Sequence, residues 1–151
     1  MLRVTHKMTY PDEFLKGVPN DDKLDSDNIP TSDLFYFKES DNAPKRPDSK
    51  LEGSISWRDD LGADEILFNL KKDGTIQFQA GIAILCRREL DKVIQRPHVN
   101  DKLSYERDQK PENKYHGNLL LKSGTEKRIM KRIAATIATL CFKTFIKNPY
   151  I

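Results

Sequence analysis

Two groups of side chains in this sequence could do chemistry. The first is Tyr105-Glu106-Arg107-Asp108, followed by Glu112 and by Tyr115-His116-Gly117-Asn118. A histidine beside carboxylates suits general-base or metal work, and Arg107 or Asn118 could hold an anionic substrate. If residues 103–108 and 116–122 are neighbouring strands, then Glu106, Arg107, Asp108, His116 and Asn118 converge at one end of a sheet. The same residue types are also ordinary turn formers, and His116-Gly117 can mark simply a bulge and a strand start. His6 and His98 add little, and no two histidines show a spacing such as His-x-x-x-His, so no metal is expected.

The second group is Lys122-Ser123-Gly124-Thr125-Glu126-Lys127-Arg128, with Lys131 and Arg132 one turn further on. It reads as the start of a long helix. Free amides at a helix N-terminus, the hydroxyls of Ser123 and Thr125 and the charges of Lys122, Lys127 and Arg128 are the ingredients of an anion site. Ser123-x-x-Glu126 also matches a capping box, which would compete for the same amides. Cations are least welcome at that end of a helix dipole, so something acidic is expected to answer them. A P-loop is excluded, because the glycine next to the lysine is missing and Leu119-Leu120-Leu121 reads as strand.

The charge distribution frames that question. The 151 residues carry a net charge of +3, but residues 1–64 sum to −5 and residues 65–151 to +8. Such asymmetry implies either internal neutralisation or an anionic partner for the basic half. The two cysteines, Cys86 and Cys141, sit among apolar neighbours and read as small buried hydrophobes in a reducing compartment. The first eight residues lack the apolar core of a secretory signal, and no window approaches the roughly 20 apolar residues of a membrane span. A cytoplasmic protein with no membrane contact and no cofactor is expected.

The elements that must position these groups follow from periodicity. Residues 17–53 are rich in Pro, Asp, Asn, Ser and Lys and read as loops, with one apolar island at Leu34-Phe35-Tyr36-Phe37, a strand or a clamp. Pro11 to Leu15 is expected to form a one-turn helix. Ile66, Phe68 and Leu70 alternate, as do Ile76, Phe78, Ala80, Ile82, Ile84 and Cys86, which predicts two strands around Asp73-Gly74. A three-residue loop, Lys72 to Gly74, keeps the apolar side chains of both strands on one face. Arg87 to Arg96 reads as a short helix ended by Pro97, residues 103–108 and 117–122 as two further strands, and Ser54 to Arg58 as an edge strand whose Trp57 caps the core.

The last helix carries Ile129, Met130, Ile133, Ala134, Ile137, Ala138, Cys141 and Phe145 as one broad stripe, which reads as core. The expected fold is therefore α+β, a small and mainly antiparallel sheet packed against a long C-terminal amphipathic helix and one short helix. Residues 1–53 are expected as a loop-rich acidic segment wrapping a single core domain, residues 54–151.

Three functions fit. The first is a non-enzymatic intracellular binding module for nucleic acid or a phosphorylated ligand, acting through Lys122, Ser123, Thr125, Lys127, Arg128, Lys131 and Arg132, with Arg87 and Arg88 as further cations. Only Trp57, Tyr105 and Tyr115 could stack on bases, so reading of single-strand sequence is weakly supported. The second is a small hydrolase or nuclease around His116, with Glu106, Asp108 or Glu112 as base or metal ligand and Arg107 stabilising negative charge. The third is a protein-interaction or assembly partner recognised through the acidic segment.

Overall fold

The computed structural model describes residues 9–39, 46–141 and 144–151. Its centre is an antiparallel sheet in the order β7-β8-β3-β1-β6-β9. Here β1 is Glu13–Val18, β3 Leu51–Trp57, β6 Gly81–Cys86, β7 Leu103–Arg107, β8 His116–Leu121 and β9 Ile146–Lys147. The two-residue strand β2 (Lys38–Glu39) joins β3 on the edge that β1 also uses. Three helices pack on this sheet: α1 (Leu61–Asn69), α2 (Arg87–Ile94) and α3 (Lys127–Thr139). The architecture is mixed α and β, as expected, and α3 is 13 residues long rather than a long helix.

Strand alternation divides the apolar residues between two faces. Phe14, Val18, Ile55, Ala83, Leu85, Leu103, Leu119 and Leu121 point to one side, where Ile133, Ala134, Ile137, Ala138 and Cys141 of the last helical segment cover them with Leu90 of α2. The apolar island joins this core as a 3-10 turn, Ser32–Phe35, whose Leu34 and Phe35 are buried with Phe37. The island is thus a buried 3-10 turn and not a strand. On the opposite face Leu15, Ile82 and Tyr115 pack under Ala63, Leu67 and Phe68 of α1.

Helix α1 corrects a strand expectation. Ile66, Phe68 and Leu70 alternate as a strand would, but Ala63, Ile66, Leu67 and Leu70 also fall at i, i+3, i+4 and i+7. The helix wins because Asp60 caps it, its carboxylate accepting the Gly62 amide at 2.7 Å. The hairpin that follows, β4 (Lys71–Lys72) and β5 (Thr75–Ile76), pairs Lys71 with Ile76 and Lys72 with Thr75. Its loop is thus the two residues Asp73 and Gly74, both at positive φ (54° and 82°), rather than three. Nothing apolar upstream needed to keep strand register, because the upstream residues are helical.

Other expectations also change. Residues 11–15 do not form a helical turn; β1 runs between β3 and β6 in the middle of the sheet. The strand containing Ser54 to Trp57 is interior, with β8 on one edge and both β1 and β2 on the other. The predicted strand from Ile76 to Cys86 breaks at residues 77–80, where Asn148 donates to the carbonyls of Phe68 and Phe78, both at 3.0 Å. Gly81 restarts it at φ 145°, where a Cβ would lie 2.0 Å from the Ile146 carbonyl oxygen. The α2 helix, β7 and β8 lie where expected, and Trp57 meets Phe14 and Tyr105 edge-on at 4.7 and 5.7 Å.

Candidate functional site

The β7–β8 pair brings four of the five candidate polar residues to one face. Glu106 is directly opposite Asn118 in the register, and His116 and Asp108 follow at the even positions. Asn118 is fully buried and its amide donates to Glu106 (3.3 Å) and to Asp108 (3.1 Å). Its Oδ1 has no partner among the described residues. Arg107, at the odd position, is on the other face, stacked 4.2 Å over Trp57 and paired with Asp59 through two bonds of 2.6 and 2.8 Å. It does not join the cluster.

The carboxylates here are occupied. Lys110 lies 3.2 Å from Asp108, while Arg46 contacts both Glu106, at 3.7 Å, and Glu52. Burial works to raise the Asp108 pKa, but hydrogen bonds from Lys110 and Asn118 and the charges of Lys110 and His116 outweigh it and hold the carboxyl below its ordinary value. Glu112 is exposed.

His116 has a defined tautomer. Its Nδ1 lies 2.9 Å from the Asp108 carbonyl oxygen. A carbonyl can only accept, so Nδ1 carries the proton of the neutral ring and Nε2 keeps its lone pair. Ser56, a buried hydroxyl that accepts from Asn113 at 3.0 Å, stands directly across the strand from His116.

The second candidate group is built differently from the expectation. Ser123 does not cap α3; its hydroxyl donates to the Pro47 carbonyl (2.7 Å) and accepts the Lys50 amide (3.0 Å). Glu126 occupies the cap position without a side-chain bond, so the capping box does not form. Thr125 donates to the Lys122 carbonyl at 2.6 Å. The helix therefore begins at Lys127, and its first turns present Lys127, Arg128, Lys131 and Arg132 to solvent.

Among the described residues none of these four, nor Lys122, makes an ion pair. The acidic half neutralises other cations. Asp12 holds Arg87 and Arg88, both at 3.2 Å, and Asp59 holds Arg107. Between α3 and the segment after α2 lies a groove of about 420 Å³, with Arg96, His98, Lys102, Arg128 and Arg132 around Val93, Val99, Ile129 and Ile133. In the sequence Arg96 stands only as a helix end and His98 as a histidine that adds little; the signal available was that both lie where the chain must turn back toward the sheet.

No protein-family model, curated protein or solved structure matches this chain. The site must be judged on its own chemistry.

The remaining candidates are quickly placed. Cys141 is buried, and burial pushes its thiol up to about 12 against the opposing charge of Lys16, so it is a poor nucleophile. Cys86 is half-buried and also free. Among the described residues no group of three or more His, Cys, Asp or Glu is placed to hold a metal, and no helix is long and apolar enough to cross a membrane. His6 lies outside the described residues.

Proposed function

We propose that this protein is a non-enzymatic binding module whose basic face lies along the phosphate backbone of nucleic acid. The observation that carries this reading is the set of cations on α3, Lys127, Arg128, Lys131 and Arg132, none of which makes an ion pair among the described residues, while Arg87, Arg88 and Arg107 are held by Asp12 and Asp59. Arg96 extends the charge across the groove beside the helix. Among the described residues no Phe, Tyr or Trp lines that groove, which favours backbone contacts over base stacking.

Affinity for duplex and single-stranded oligonucleotides against salt tests it. Neutralising about four phosphates gives a slope of log K on log salt near −3 to −4. Replacing Arg128 and Arg132 by Glu should flatten that slope. A slope near zero in the wild type, or one untouched by the double substitution, would overturn the reading.

A second reading, a hydrolase around His116, draws on one observation, the cross-strand pairing of Ser56 with His116, whose neutral ring donates through Nδ1 and keeps its lone pair at Nε2. The occupied carboxylates Glu106 and Asp108 give a metal-dependent nuclease less support. His116→Ala should abolish any hydrolytic activity found and leave the urea midpoint in place; activity that survives it sinks this alternative.

A further inference from the structure

The groove beside α3 joins charge to hydrocarbon. Arg96 and His98 come from the turn after α2, and Arg128 and Arg132 stand one turn apart on α3. Of the apolar side chains between them, Val93 and Ile133 are buried in the core, whereas Val99 and Ile129 are only partly buried and complete the floor. Among the described residues no aspartate or glutamate lines the groove, and of its cations only Lys102 meets an acid, Asp101 at 3.0 Å. His98 is exposed, and its imidazole makes no hydrogen bond or ion pair among the described residues.

These two kinds of surface narrow what fits. The arginines answer phosphates. A phosphate gains nothing from the floor, because a polar group laid on hydrocarbon loses water without a partner in exchange. The face of a base does gain by covering Val99 and Ile129. A duplex keeps those faces stacked inside and presents its backbones and the edges of its bases. An unpaired strand can splay its bases outward, where they stack on imidazole or guanidinium planes such as those of His98 and Arg96. Contacts of that kind do not depend on which base is present.

We propose that this groove selects unpaired nucleic acid, taking one base against Val99, Ile129 and His98 while Arg96, Arg128 and Arg132 hold the flanking phosphates. The inference rests on the backbone reading above and adds to it a choice of strand. It makes the groove a single-strand site without sequence preference, in which the base supplies apolar contact and the phosphates supply charge.

The probes are a mixed-sequence single strand, its blunt duplex, and a strand of the same length made entirely of abasic sites, each titrated into the full chain by fluorescence anisotropy across a range of salt. The intact single strand should bind at least about tenfold more tightly than either of the others. That difference should persist at high salt, where phosphate contacts are screened and apolar contact is not. His98→Ala, at an exposed position, should weaken the single strand about fivefold and leave the duplex and the abasic strand unchanged. Val99→Thr, which keeps the shape of the floor and makes it polar, should narrow the same difference. Equal affinity for single strand and duplex with a steep salt slope would overturn this inference and leave the backbone reading standing. An abasic strand bound as tightly as the intact one would overturn the base contact, and a slope near zero for every probe would overturn both readings.

Discussion

Arg58 grips Asp64 through two hydrogen bonds, 2.9 Å from Nε and 2.7 Å from a terminal nitrogen, with both residues buried. The same guanidinium reaches Glu13 on β1 at 3.1 Å and stacks 4.1 Å over Tyr10. One side chain thus ties α1 to the central strand. Removing one member of a buried pair strands the other's charge, which costs about 3–5 kcal/mol. Asp64→Ala should lower stability by that amount in urea unfolding, and Arg58→Met with Asp64→Leu should recover most of it. A single variant that unfolds at the wild-type midpoint would show that water reaches Arg58.

Ser123 and Glu126 give opposite expectations from those of a capping box. Ser123→Ala breaks the bonds to Pro47 and Lys50 and should cost about 1–2 kcal/mol, much of it from the unsatisfied Lys50 amide. Glu126→Ala should stay within about 0.5 kcal/mol, as at an ordinary surface position. Denaturant midpoints of the two variants decide it: a Glu126→Ala loss as large as that of Ser123→Ala would restore the capping box.

Tyr105 and Tyr115 should resist ionisation. Burial, then the hydrogen bonds to Asp91 (2.7 Å) and Asp60 (2.8 Å), push both phenols up to about 12 from 10.0. Their folded state holds protons that the unfolded chain releases, so this contribution is complete below pH 10 and is lost as pH climbs through about 12. Ultraviolet titration should show a late phase that shrinks in Tyr105→Phe and in Tyr115→Phe. Ionisation of both at pH 10 in the folded protein would contradict the burial.

Lys16 works in the other direction. With its pKa lowered to about 8 from 10.5, the unfolded chain binds the extra proton between those values, so stability rises across that window. Cys141, raised to about 12 from 9.0, opposes this from pH 9 upward. In a Cys141→Ala background the urea midpoint should therefore climb between pH 8 and pH 10, and Lys16→Met should flatten the climb. A flat profile before Lys16 is replaced would mean that water screens its amine.

The positions of α2, β7 and β8 were readable because each carries one clear period. Residues 61–70 satisfied two periods at once, and the cap at Asp60, rather than the apolar pattern, chose between them. β1 escaped notice because Glu13 and Lys16 interrupt its apolar run, each held by a partner far away in sequence, Arg58 and the Ser54 carbonyl. In the candidate cluster, strand parity alone places Glu106, Asp108, His116 and Asn118 together and Arg107 apart. The sharing of one edge of β3 by β1 and β2 was illegible, since it joins strands that are distant in sequence.

The central position of β1 has a consequence for how a ribosome delivers this fold. Glu13 pairs with Cys86 and Phe14 with Trp57, so the strand is made early and its neighbours emerge much later. At about 5–20 residues per second, β1 waits several seconds with Phe14, Leu15 and Val18 uncovered. A nascent chain halted between β3 and β6 carries an apolar strand with one bare edge, which is the moment at which this protein is most exposed to pairing with the wrong chain.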